Sequence, residues 1–333
     1  MKALVSLLLV LLIALGCQGG RRLASRSRAL GPGSHADHVS GPSLGGRGTA
    51  VRPLETPTAS LTEGRSRRRS LVVDGVERTY KVYLPVGYTS DRPFPLVVVL
   101  HGGGGSGEQI ESVSGLSQKA DTAGFIVVYP DGSGRRFLTW NAGDCCGYAV
   151  RQNVDDVAFI NAVLDEVERD FFIDRRRVFV AGMSNGGMLA YRLACELSDR
   201  IAAIAVVSAT MAVTTCNPTR AVSVLHIHGT SDDHIPFGGG VGARSLTKVD
   251  YRPVLSTVRE WVRLDRTEEI PQVTYRKGRV TCETYDRGRE GTIVSLCRVE
   301  GGGHVWPGGS KDENPAFSAN DVIWRFFSAH ARQ

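Results

Sequence analysis

The stretch Val178-Phe179-Val180-Ala181-Gly182-Met183-Ser184-Asn185-Gly186-Gly187 runs from a β-branched, apolar segment straight into a glycine-flanked serine. Val178–Ala181 reads as a strand and Gly187–Leu197 as a helix, so G-x-S-x-G occupies a strand-to-helix turn. Such a turn strains the serine backbone and exposes its hydroxyl, and side chains at Gly182 and Gly186 would collide with the turn. The helix N-terminus beside Ser184 favours developing negative charge. Ser184 is therefore the expected nucleophile.

Similar runs recur on both sides of this turn. Leu96–Leu100, Phe125–Tyr129, Ile204–Val207, Val222–Ile227 and Thr292–Val299 are continuous apolar stretches, the pattern of strands covered on both faces. Helical spacing lies between several of them. Val157, Ile160, Leu164, Val167 and Phe171 form one stripe, with Asn153 as a candidate cap and Asp155 and Asp156 in the first turn. Other helices are expected near Pro253, carrying Val254, Val258, Trp261 and Val262, and near Asp321, carrying Ile323, Phe326 and Phe327. Upstream, Leu71–Val73, Asp74-Gly75 and a run through Tyr80, Val82 and Leu84 read as a β-hairpin, because Asp-Gly supplies the positive φ of its turn. The expected fold is α/β: a doubly wound, mostly parallel sheet of the α/β-hydrolase type with an antiparallel N-terminal hairpin.

Two partners for the serine follow in the order this fold uses, acid before histidine. His304 stands in Gly301-Gly302-Gly303-His304-Val305-Trp306-Pro307, directly after a strand. His228-Gly229-Thr230-Ser231-Asp232-Asp233 follows Val222–Ile227, and both Asp232 and Asp233 are candidates to orient the imidazole, with Asp232 preferred on motif position. His101-Gly102-Gly103-Gly104-Gly105 follows Leu96–Leu100. The backbone N–H of Gly103, with that of Asn185, could hold an oxyanion. His226, His228 and His234 lie near the two aspartates, but alternating histidines on one strand are read as packing residues, and no metal is expected. The glycine loop also contains a G-x-G-x-x-G (Gly102, Gly104, Gly107) with Asp131 on the next strand, a dinucleotide-site pattern. Export argues against it, and it leaves Ser184, Asp232 and His304 unexplained.

The flanks bound the compartment. The chain has 333 residues and a formal charge of +6. Met1-Lys2 precedes an apolar run, Ala3–Gly16, too short to span a bilayer and of the right kind for an export signal over residues 1–17. Cys17 could take a lipid and so attach the chain to a membrane, although Ala14 stands where a lipoprotein signal usually has Leu; plain cleavage is the other reading. Residues 18–69 are rich in Arg, Gly, Ser and Pro and read as a disordered spacer, leaving 70–333 as the catalytic domain. Ten Arg lie between residues 18 and 70. They account for the positive charge, so a basic folded face for nucleic acid is not expected. Without Cys17 six cysteines remain, an even number that suits disulfides in an exported chain. Cys282 and Cys297 could pair across a hairpin. Cys145 and Cys146 could bridge each other or pair with Cys195 and Cys216.

Several motifs together resemble the exported polyhydroxybutyrate depolymerase-like esterases, grouped with the feruloyl and acetylxylan esterases of carbohydrate esterase family one. They are Leu100-His101-Gly102-Gly103, Trp140-Asn141-Ala142-Gly143 with Cys145-Cys146-Gly147, Val154-Asp155-Asp156-Val157, the Ser184 turn, His228-Gly229-Thr230-Ser231-Asp232 and Gly302-Gly303-His304-Val305-Trp306-Pro307. The resemblance covers about residues 70 to 330 and departs at Asp233, where similar sequences often carry Pro. It implies a Ser184-Asp232-His304 triad, no cofactor, and a role for Trp306 in lining the acyl or sugar pocket. Trp140, Tyr148 and Phe237 are further pocket candidates. The expected partner is an ester, either a feruloyl or acetyl ester of plant polysaccharide or a hydroxyalkanoate. The other readings are an exported, non-catalytic binding protein on a hydrolase scaffold and a serine peptidase of the same fold.

Overall fold

The computed structural model describes residues 60–313 and 315–333. The expectations for the export signal, for Cys17 and for the spacer up to residue 59 lie outside the described residues. Among those described, no helix is long and apolar enough to cross a membrane.

Among the described residues ten strands form one sheet in the order β1-β2-β4-β3-β5-β6-β7-β10-β9-β8. β1 (Arg65–Val73) and β2 (Val76–Leu84) make the expected hairpin, with Val73 opposite Val76 and positive φ at Asp74 and Gly75. The parallel centre consists of β3 (Phe94–Leu100), β4 (Ile126–Pro130), β5 (Ile173–Met183), β6 (Ala203–Val207), β7 (Ser223–Gly229) and β10 (Val294–Val299). β9 (Val280–Tyr285) and β8 (Gln272–Lys277) close the far edge antiparallel.

The continuous apolar runs have the cause expected of them. Successive residues point to opposite faces of a strand, and each face here has its own core. Leu96, Val98 and Leu100 pack on the side of α4 (Asp156–Asp170), α5 (Asn185–Glu196) and α6 (Val254–Asp265). Val97 and Val99 pack on the side of α1 (Gly107–Ser114), α2 (Leu116–Ala123) and α7 (Ala319–Ala329). A short helix, α3 (Gly147–Arg151), lies in the loop region after β4.

Two expectations need correction. Ordered structure begins before residue 70: Arg65, Arg67, Arg68 and Arg69 stand on β1, not in a spacer. An edge strand can carry charged side chains because one row of them faces water, and Arg69 is tied down by Glu166 at 3.2 Å and Asp170 at 2.7 Å. Asn153 does not cap α4. Asp155 does, accepting the Ala158 N–H at 2.8 Å, while Asn153 sits at φ 46° in the turn before it.

All three cysteine pairs are resolved: Cys145–Cys146, Cys195–Cys216 and Cys282–Cys297. The last joins directly opposed residues of β9 and β10.

Candidate active site

The site is assembled at the carboxyl ends of β3, β5, β7 and β10, where an open parallel sheet places its loops. Ser184 connects β5 to α5 at φ 56°, ψ −127°, a region that L-residues avoid. Packing enforces this strain. A Cβ on Gly182 would lie 2.4 Å from the Gly186 oxygen, and one on Gly186 2.4 Å from the Leu100 oxygen. The Ser184 N–H is held by the Val207 carbonyl at 2.9 Å.

His304 and Asp232 meet from two different loops. His304 Nδ1 lies 2.8 Å from Asp232 Oδ2. The other oxygen of Asp232 accepts the N–H groups of His234 at 2.9 Å and Ile235 at 2.8 Å. Burial raises the Asp232 pKa, but the hydrogen bond and charge of His304 and the Ile235 N–H outweigh it, and the carboxyl is held below its usual range. Asp233 is not an alternative. It is half-exposed and bonds the ring of its neighbour His234 at 2.8 Å.

Ser184 and His304 line one cavity of about 870 Å³, together with Gly103 and Asn185. Its walls include Ile110, Val113, Met188 and Trp306, and Phe137 and Leu246 are largely exposed at 69% and 85%. Of the pocket candidates, Trp306 contributes to the wall while its indole N–H donates to Asn320 at 2.9 Å, and Tyr148 also lines the space. Trp140 does not. It is fully buried, and its indole N–H donates to the His101 carbonyl at 2.9 Å. Phe237 packs edge-on against His228 instead.

The oxyanion candidates come from two loops that one side chain locks together. Asn185 accepts the Trp140 N–H at 2.7 Å and donates to the Trp140 carbonyl at 3.0 Å. Trp140 in turn holds the His101 carbonyl at the root of the glycine loop. Within that loop Gly104 N–H donates to Leu138 and Gly105 N–H to Gly102. Among the described residues no acceptor takes the Gly103 or Asn185 N–H. His101 Nδ1 donates to the Gly102 carbonyl and Nε2 accepts the Gly132 N–H. Burial lowers its pKa to about 4, so the ring is neutral at pH 7. The side-chain roles of Asn185, Trp140 and His101 escape the sequence reading; only the motif positions of these residues hint at them.

The remaining candidates have other duties. Asp131, the acid of the dinucleotide pattern, accepts the Gly107 N–H at 2.8 Å and the Thr79 hydroxyl at 2.6 Å. It fixes the start of α1 to the sheet. Asp156, in the Val154–Val157 motif, pairs with Arg78 at 2.7 Å and accepts the Asn141 N–H at 2.7 Å. Asp232, His234 and His304 place possible metal-ligand atoms within 4.8 Å of one another. The His234 and His304 rings are stacked at 4.6 Å and 18°, and the Nδ1 atom of each already faces a carboxylate, Asp233 and Asp232 respectively.

Known proteins resemble this chain in sequence and in fold. Residues 78–254 match the family described as esterase PHB depolymerase. "Putative esterase NocK" of Nocardia uniformis subsp. tsuyamanensis is 34% identical over 285 residues, covering 79% of this chain and 80% of that protein. Feruloyl esterase B of Piromyces equi is 32% identical over 232 residues; the match covers 67% of this chain but only 42% of that larger protein. Among solved structures, the acetyl xylan esterase from Aspergillus awamori superposes with a TM-score of 0.56 over 79% of this chain and 99% of its own, at 16% identity. The CE1 ferulic acid esterase of Anaeromyces mucronatus does so with a TM-score of 0.50, over 80% and 90%, at 15% identity. At those identities the superpositions establish the α/β-hydrolase fold.

Proposed function

This chain belongs to the esterase PHB depolymerase family, and from that premise we propose that it is a serine carboxylic-ester hydrolase working through Ser184, His304 and Asp232. Ser184 Oγ attacks the ester carbonyl carbon while His304 Nε2 takes its proton. The carbonyl oxygen becomes an oxyanion between the N–H groups of Gly103 and Asn185. As the intermediate collapses, the C–O bond to the alcohol breaks and His304 returns the proton to the leaving oxygen. Water then repeats the sequence on the acyl-enzyme and frees the acid. Asp232 keeps the imidazole proton on Nδ1, so that Nε2 is the basic nitrogen, and stabilises the imidazolium. These steps need no cofactor beyond the residues named.

The observation that carries the proposal is the 2.8 Å contact between His304 and the buried, ionised Asp232, on the cavity that holds a strained Ser184. The apolar walls suit an acyl group such as a ferulate or a hydroxyalkanoate, and the names of the relatives favour feruloyl and acetyl esters of plant polysaccharide as the substrate class. We place the protein outside the cytoplasm. The Ala3–Gly16 run and three cysteine pairs support export. The mass of the mature N-terminus separates lipid attachment at Cys17 from plain cleavage.

The test is a rate panel with methyl ferulate, an acetylated xylo-oligomer, a hydroxybutyrate oligomer and p-nitrophenyl acetate, with Ser184→Ala as control. Serine-dependent turnover with preference for one natural ester fixes the substrate class. No serine-dependent turnover of any ester would transfer the reading to a binding protein, and faster cleavage of a matched amide would transfer it to a peptidase.

A further inference from the structure

Behind the acid of the site lies a chain of buried polar groups that the reaction above does not use. Tyr191 on α5 and His226 and His228 on β7 are each at most 1% exposed. Tyr191 Oη lies 2.6 Å from His226 Nδ1, His226 Nε2 3.1 Å from His228 Nδ1, and His228 Nε2 2.9 Å from the Ile235 carbonyl oxygen. The same His228 Nε2 is 3.5 Å from Asp232 Oδ2, the oxygen that faces His304.

The direction of every bond follows from its last member. A carbonyl oxygen only accepts, so His228 carries its proton on Nε2 and presents a bare Nδ1. His226 must then donate from Nε2 and accept on Nδ1, and Tyr191 must donate its hydroxyl hydrogen. Burial lowers both imidazole pKa values and raises that of the phenol, so all three groups stay neutral at pH 7. The dipoles therefore line up and end as an N–H bonded to the Ile235 carbonyl with Asp232 Oδ2 3.5 Å away, and aligned hydrogen bonds in a low-dielectric interior strengthen one another.

Core satisfaction alone does not account for this arrangement. The flanking β7 residues Val224, Leu225 and Ile227 are apolar. Tyr191 has no other polar partner among the described residues, and the one backbone group the chain satisfies, the Ile235 carbonyl, needs a single donor at position 228 and neither His226 nor Tyr191 behind it. The one group with chemical work at either end is Asp232.

We propose that Tyr191, His226 and His228 are positioning residues for the reaction: a one-directional hydrogen-bond chain whose last N–H lies beside the Asp232 oxygen that faces His304 and holds that carboxylate in place. The proposal rests on the reading of Asp232 as the acid of the triad. His228 supplies the last N–H, His226 sets the tautomer of His228, and Tyr191 sets that of His226.

The experiment measures kcat and KM for p-nitrophenyl acetate in wild type, His228→Leu, His228→Gln and Tyr191→Phe, with melting temperatures alongside. The expected result is a kcat loss of about 10- to 100-fold in His228→Leu, the range known for partners that orient a metal-bound histidine. KM should be unchanged. His228→Gln, whose amide N–H can still donate, should recover part of the loss, and Tyr191→Phe should lose less than His228→Leu. Unchanged kcat in a folded His228→Leu would overturn the proposal, as would equal loss in the Leu and Gln variants. If His228→Leu does not fold, ¹⁵N spectra of wild-type histidines still decide: protonated Nε2 and bare Nδ1 on both His226 and His228 are expected, and the reverse tautomer on either contradicts the chain. Failure of the esterase reading looks different, because wild type itself would then lack serine-dependent turnover.

Discussion

Strand β7 has a buried carboxylate near each end. Past its carboxyl end, Asp232 accepts from His234, Ile235 and His304 and is held ionised. Before its amino end, Asp265 of α6 accepts only the Val222 N–H, at 3.2 Å, and its second oxygen has no partner among the described residues. Burial raises the Asp265 pKa to about 7, offset only in part by that N–H and the charge of Arg289. Both side chains are removed from water, so burial does not separate them. The number and charge of the donors does. The catalytic end of the strand is furnished with donors that keep a charge in place, whereas the other end lets a proton do so.

The difference can be attacked from either end. The largest effect is expected from Asp232→Asn, which keeps the shape and removes the charge that fixes the His304 tautomer. kcat should fall by about 10⁴-fold with the fold intact, and a loss below tenfold in steady-state assays would remove Asp232 from the triad.

Asp265 comes next, and its effect falls on stability. Its folded pKa lies above the unfolded value of about 4, so the folded chain binds the extra proton between about pH 4 and pH 7. Its stabilising contribution is complete below pH 4 and is lost as pH rises through 7. The loss is on the order of 4 kcal/mol for a shift of this size. Urea unfolding at pH 5 and pH 8 should show this slope in wild type and a flatter one in Asp265→Asn; equal slopes would mean the proton is not there.

A smaller change separates fold from site again. Replacing Cys282 and Cys297 with Ala opens a cross-link with a sequence separation of 15 at the edge of the sheet, costing about 3 kcal/mol of stability and leaving kcat unaltered. The smallest effect belongs to Asp233→Asn. This half-exposed neighbour of Asp232 bonds the His234 ring and lies 3.9 Å from Arg244, with no hydrogen bond or ion pair to Ser184 or His304 among the described residues, and its removal should change kcat less than about twofold.

What the sequence made legible follows the same division. The strands, the serine turn and the Asp232–His304 pair are written in local patterns, because glycine spacing and apolar runs are short-range signals. Burial of Asp265 is not, since it depends on how α6 packs against the β7–β10 end of the sheet. Arg65–Arg69 read as a tail because an edge strand needs no apolar face. Trp140 is adjacent to the site in the chain's motif yet turns into the core, because its indole and backbone satisfy His101 and Asn185. The Tyr191–His226–His228 chain joins α5 to β7 across 35 residues, beyond the reach of any periodicity.

The account depends most on Ser184 becoming covalently acylated. Mixing the protein with p-nitrophenyl acetate, quenching within the first turnover and mapping the adduct by mass spectrometry tests this directly. One acetyl group on the Ser184 peptide, preceded by a burst of one p-nitrophenol per chain and absent from Ser184→Ala, is predicted. Turnover with no acetyl group at Ser184, or with the group on another residue, would contradict it.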